Sequence, residues 1–209
     1  NPELNEKNLW DVMGLKKDFD FIPEVLQFQK LTFSWRIHQA LNYKRDLPGV
    51  EINSELPSVE EAQRQFDYHH LSYEKIPLTS IFNLKFPFMH MMKNIYVNKH
   101  WRYLFSRRKL DYPMVGGYSD IFLLTGMSVE RFMHYCGAFA SSGLFVEIAI
   151  PTSLVLVSNR IQTFKDIKLK SGAIWFKNER DVLNKYHFSL KQLIGDFPQN
   201  VLFLHPIKL

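Results

Sequence analysis

The stretch Gly116-Gly117-Tyr118-Ser119-Asp120, running on into Ile121-Phe122-Leu123-Leu124-Thr125, sets one carboxylate between a glycine pair and an apolar run. The run reads as a buried strand. Such strands belong to sheets covered on both faces, so an ionisable group at the strand end projects into the crevice where α/β proteins bind ligands. Asp120 is therefore the first candidate for a functional side chain. The alternative is a turn aspartate that bonds only to local backbone N–H groups.

Upstream of the glycine pair, residues 77–109 carry Lys85, Lys93, Lys99, Arg102, Arg107, Arg108 and Lys109 and no acidic residue. The chain has 26 basic and 21 acidic residues, so without this segment it would be slightly acidic. Phe82, Phe86, Phe88, Tyr96, Trp101, Tyr103 and Phe105 interleave with the cations. An anionic partner is expected to approach here. Stacking plus cations suits single-stranded nucleic acid, and Phe82, Phe86, Phe88 and Met89 are placed to dip into a membrane interface.

Two helices flank the apolar run in sequence. Ser58-Val59-Glu60-Glu61 after Pro57 has the spacing of a capping box and predicts a helix from Val59 to about Tyr68. Ser128 is placed to cap a second, in which Val129, Phe132, Met133, Cys136 and Phe139 or Ala140 share one face and Ser141-Ser142-Gly143 ends it. A third helix is expected to start near Pro151 and reach about Asn159. Residues 24–44 are ambiguous: Leu31, Phe33, Trp35 and Ile37 alternate with polar residues like a strand, while the length favours a helix. Further strands are expected at Ala173–Phe176 and Val201–Leu204, and a loop at Leu47–Pro57. Strands separated by helices give an α/β class with a mixed sheet flanked by helices.

A chain of 209 residues that is 46% hydrophobic can bury a substantial core, as a single domain spanning 1–209. Its one cysteine, Cys136, excludes an intrachain disulfide and fits a reducing, cytoplasmic compartment. The most apolar stretch, Leu144–Val157, is interrupted by Glu147 and Pro151 and falls short of the roughly 18–20 residues a membrane span needs. The start, Asn1-Pro2-Glu3-Leu4, has neither an initiator Met nor a signal-peptide pattern and is expected to belong to a fragment or a processed product.

P-loop, dinucleotide-binding, zincin and α/β-hydrolase signatures are all absent. Asp18-Phe19-Asp20 is a D-x-D, the spacing by which two carboxylates can hold a divalent cation on a nucleotide diphosphate, though hard cations need further oxygen ligands. Glu147, inside an otherwise apolar run, must find a partner. It is either a ligand or base for a substrate hydroxyl, or a structural salt bridge or cap. His205-Pro206-Ile207-Lys208 brings an imidazole and an ammonium to a strand end, suited to phosphate contact unless it is a surface tail.

In chain order, G-G-Y-S-D-I-F, the helix with Phe132 and Cys136, F-V-E-I-A-I-P-T and L-F-L-H-P-I-K-L resemble sugar-transferase-like proteins of bacterial polysaccharide biosynthesis. The stretch from Pro113 to Leu209 looks like the acceptor-side half of a GT-A-type glycosyltransferase, or a fragment of one. The resemblance implies a nucleotide-sugar donor and a glycan or lipid-linked acceptor, with transfer at the cytoplasmic membrane surface. It further implies Asp120 and Glu147 as catalytic carboxylates and Tyr118 and Ser119 as acceptor contacts. His205 and Lys208 would face the donor diphosphate. Arg107 and Arg108 of the basic segment are further candidates for the phosphates, and the spacing of Asp18 and Asp20 is the candidate site for Mn2+ or Mg2+. Such enzymes begin with a nucleotide-binding βαβ unit and a D-x-D that ends an apolar strand, and this chain departs from both, so either that half precedes Asn1 or the catalytic reading fails. The contrasting reading is a non-catalytic module that binds nucleic acid or a membrane surface through residues 77–109.

Overall fold

The computed structural model describes residues 16–28, 39–40, 43, 54–73, 110–174, 177–198 and 200–207. The basic-aromatic segment, with Arg107 and Arg108, and most of residues 24–44 lie outside them, as does Lys208. The chain divides into two compact units, Asp20–Ile161 and the pair of segments Asn1–Phe19 and Gln162–Leu209. Helices with very little sheet make up both.

In the larger unit, strand β1 (Asp20–Phe21) runs beside the start of strand β2 (Ile161–Gln162), and the Asp20 N–H donates to the Arg160 carbonyl at 2.9 Å. Helix α1 (Val59–Tyr68) begins where its capping box predicts. The Glu61 N–H donates to Ser58 Oγ at 3.1 Å, and the Ser58 N–H donates to Glu61 Oε2 at 2.8 Å. The Ser58 N–H, and after it the Ser58 side chain, favours the ionised carboxylate and lowers the pKa of Glu61. Helix α2 (Val129–Ser141) also has the expected bounds and ends at Gly143, whose φ of +72° lies in the left-handed region. Its buried stripe is narrower than the sequence suggests, because Phe132 and Phe139 are buried while Val129 and Met133 face solvent.

Two expectations are corrected. Ile121–Thr125 is half-buried and forms no strand; Leu123 alone pairs, antiparallel to Phe21. The Thr125 N–H turns instead to a side chain, Asp20 Oδ1, at 2.6 Å. The third helix begins five residues before Pro151, as α3 (Val146–Val157). Every residue from Ile148 to Val157 except Ile150 is buried, so α3 is apolar around its whole circumference and forms the centre of the unit. Tyr112, Phe139, Phe66 and Ile148 pack in the main cluster of the core, and Phe132 with Leu154 in a second.

Asp20 joins these elements. It is 2% exposed, an expensive place for a carboxylate unless its lone pairs are matched. Oδ1 accepts from Thr125, and Oδ2 accepts from the Ser128 hydroxyl at 2.6 Å and the Ser158 hydroxyl at 2.5 Å. Ser128 precedes α2 and Ser158 follows α3, so one side chain ties β1 to the start of one helix and the end of another. Ser128 therefore caps no helical N–H; its hydroxyl is committed to Asp20. The Ser158 carbonyl closes a second link, accepting from Gln65 Nε2 at 2.7 Å and His69 Nε2 at 2.8 Å at the end of α1.

In the smaller unit, residues 170–174 and 200–205 run parallel through the bridges Lys170–Val201 and Ala173–His205. Among the described residues the two expected strands pair through these isolated bridges, while Trp175 and Phe176 of the first lie outside them. Gly172 is required there, since a Cβ would strike the Phe203 carbonyl. The short helix α4 (Lys177–Arg180), a 3-10 turn (Asp181–Tyr186) and helix α5 (Leu190–Gly195) follow. Ile174, Leu183, Tyr186 and Leu193 form their core. Among the described residues no helix is long and apolar enough to cross a membrane.

Asp20→Ala should cost at least about 3 kcal/mol of unfolding free energy in urea, because hydrogen bonds to a charged group contribute about 1.5–3 kcal/mol each and three are lost. Asp20→Asn should lose less, since an amide oxygen still accepts from Thr125; equal midpoints for wild type and Asp20→Ala would refute the node. A second expectation concerns pH. Burial lowers the pKa of His69 below 6.5, against the opposing effect of its bond to Ser158, with the nearby His70 charge lowering it further. The folded state therefore resists a proton that the unfolded chain accepts. Stability should fall as pH drops below 6.5 and level off below the folded pKa, and His69→Gln should flatten that slope.

Candidate functional site

The glycine-led turn is placed by a proline. Pro151 sits in the second turn of α3, and with no N–H it cannot bond to the carbonyl four residues back, that of Glu147. That carbonyl accepts instead from the Gly117 N–H at 3.0 Å. One residue earlier, Gly116 exchanges two backbone bonds with Leu26, at 2.7 and 3.0 Å. Val115 is held on both sides of its peptide by Thr152, whose Oγ1 accepts from the Val115 N–H and donates to its carbonyl, each at 3.2 Å. Residues 115–117 therefore lie between Leu26 and α3, with both backbone groups of Val115 and Gly116 and the N–H of Gly117 bonded.

Glycine is demanded at 117 by space alone. A Cβ there would lie 2.6 Å from the Glu24 carbonyl oxygen and 3.1 Å from the Pro151 Cβ. The chain is thereby pressed against the first turns of α3, where Glu147 stands. Beyond the glycine, Tyr118 and Ser119 are buried and Asp120 is exposed. Glu147 is half-buried, with Oε2 shielded from solvent. The arrangement brings the Asp120-bearing turn to the start of the helix that carries Glu147. Asp120 is exposed to solvent, where a carboxylate can take a proton from a hydroxyl, and Glu147 Oε2 is shielded.

The other expected site residues are distributed elsewhere. Asp20 is the buried node, and Asp18 is exposed. Because Asp20 is 2% exposed and three of its four lone-pair sites accept from protein donors, the D-x-D pair does not fit a divalent cation. No group of three or more His, Cys, Asp or Glu side chains is arranged to hold a metal among the described residues. His205 is half-buried in the smaller unit, its N–H on the Gly172 carbonyl at 3.0 Å and its carbonyl accepting from Ile174 at 2.7 Å. It is a paired residue within a parallel bridge, not a loose tail. Cys136 is half-buried; burial pushes its thiol pKa up, only partly offset by Ser153, which disfavours a thiolate nucleophile.

One cluster that the sequence does not suggest lines a groove of about 540 Å³ in the larger unit. Glu55 and His134 meet across it, Nε2 to Oε2 at 3.0 Å, with both side chains half exposed. Glu130 and His134 are one helical turn apart, a spacing visible in sequence, but nothing local indicates that Glu55 lies opposite them. No family model matches the chain, and no curated protein or solved structure matches it.

Gly117→Ala should destabilise the chain by about 1–3 kcal/mol, the usual cost of forced backbone movement in a packed region, because the nearest obstacle is a main-chain oxygen. Pro151→Ala supplies the Glu147 carbonyl with a helical donor, and amide exchange at Gly117 should then accelerate. Unchanged protection at Gly117 in that variant would show that Pro151 does not place the turn.

Proposed function

We propose that the chain is a glycosyltransferase-like α/β protein that moves a sugar from a nucleotide-sugar donor to a glycan or lipid-linked acceptor. The observation that supports this reading is the Gly117 to Glu147 hydrogen bond, which holds the Asp120 turn against the start of α3. In this reading Asp120, exposed beyond the glycine, takes the proton of the acceptor hydroxyl. Glu147 holds neighbouring acceptor hydroxyls, with Tyr118 and Ser119 shaping the wall of the turn. Arg107 and Arg108 of the basic segment would stabilise the departing diphosphate, and that segment would also suit an anionic membrane surface. A cation such as Mn2+ or Mg2+ would need oxygen ligands other than Asp18 and Asp20.

The test combines binding and turnover. Thermal melts of the chain with UDP- and GDP-sugars, with and without Mn2+, should show selective stabilisation by one nucleotide. With that donor, Asp120→Asn should reduce transfer by about 10²–10⁴-fold while leaving donor affinity in calorimetry nearly unchanged. Activity of Asp120→Asn within a few-fold of wild type would remove Asp120 from the chemistry. Absence of stabilisation by any nucleotide sugar would remove the donor assignment.

A further inference from the structure

The groove between residues 54–57 and the first turns of α2 shares no lining residue with the Asp120–Glu147 cluster. Its walls are held before any ligand arrives. Leu56 is buried, the Tyr112 hydroxyl donates to the Pro57 carbonyl at 3.0 Å, and the capping box of α1 starts at the next residue. The opposite wall is α2, anchored through Phe132 and Phe139.

The polar groups in the groove are oriented as well. Glu55 is fixed by His134 at Oε2 and lies 3.4 Å from the Ser54 hydroxyl at Oε1. Each carboxylate oxygen has two lone pairs, so acceptor capacity remains towards the groove. Arg131 adds a planar set of N–H donors, and Tyr135 an aromatic edge. The charges nearly balance, with Glu55 and Glu130 against Arg131 and an imidazole that is charged only when protonated. A phosphate or polyanion would meet two carboxylates, and a polycation would meet a guanidinium. An apolar ligand would find only Leu56, Pro57 and the Tyr135 ring. The chemistry that uses a fixed acceptor, a planar donor and a ring together is that of a neutral molecule with vicinal hydroxyls.

We propose that this groove binds a neutral saccharide chain, with Glu55 accepting from and Arg131 donating to ring hydroxyls and Tyr135 packing on a sugar face. The proposal depends on neither a nucleotide-sugar donor nor catalysis at Asp120. If the groove binds sugar and no nucleotide binds, the chain is a glycan-binding protein; the converse result leaves the transferase reading standing alone.

The test is an amide-shift titration of the isotope-labelled full chain with maltotriose, cellotriose and triacetylchitotriose at millimolar concentrations. Saturable shifts confined to residues around Glu55, Arg131 and Tyr135 are expected with at least one of them. Glu55→Ala and Arg131→Ala should each weaken that binding about tenfold or more, the scale of one lost hydrogen bond to a charged group. Both residues are solvent-exposed, so the melting temperature should stay near that of wild type. The proposal is overturned if none of the three sugars shifts these residues, if both variants bind as wild type does, or if inorganic phosphate displaces the sugar.

Discussion

The larger unit depends on a single buried charge. The Asp20 carboxylate would be unfavourable where it lies without its three donors, two of them from the Thr125–Ser128 turn that leads into α2 and one from Ser158 just after α3. Charge-assisted bonds of this length are directional, so they fix registers that apolar packing leaves loose. α3 needs such a device. A helix apolar on all sides can rotate or slide within a core at modest cost, whereas Ser158 bonded to Asp20 sets where the helix ends. Ser158 then passes the constraint on, because its carbonyl receives Gln65 and His69 from α1.

Pro151 shows the same accounting in the backbone. A proline inside a helix ordinarily costs about 3 kcal/mol or more, part of it for a carbonyl left without its donor. Here the carbonyl of Glu147 is given to a non-helical segment, so the defect becomes the attachment point of the glycine turn. The pairing is specific in both directions. The turn needs an acceptor that a regular helix does not expose, and the helix needs a donor able to approach closely, which restricts position 117 to glycine.

This reciprocity explains what was and was not legible in the amino-acid sequence. The bounds of α1 and α2 follow from local signals, a Ser-x-x-Glu box and an apolar stripe closed by glycine, and the structure reproduces them. The start of α3 could not be read in that way, because a proline signals a first turn unless a donor from elsewhere frees it from that place, and the donor lies far off in sequence. The run Ile121–Thr125 has the composition of a strand, but one of its amides is taken by Asp20 and the ladder does not extend beyond Leu123. For the site, the coupling of the Gly116–Asp120 turn to Glu147 is a tertiary fact carried by Pro151. The opposition of Glu55 and His134 has no local signature either.

Asp20 and Asp120 also show why residue type does not define a chemical role. A general base must have a free lone pair, and its proton donor must reach it. Asp20 is poorly placed on both counts: three of its four lone-pair sites already accept from amide and hydroxyl donors, and the side chain is 2% exposed, so an acceptor hydroxyl cannot reach it from solvent. Asp120 is exposed at the end of a turn whose preceding residues are fixed by α3 and Leu26. An accessible carboxylate on a rigid support is the arrangement that the proposed role of base requires. Of the aspartates singled out in the sequence, the one in a spacing suited to metal binding is therefore the one that holds the fold, and the one in the glycine turn is the one exposed at the surface.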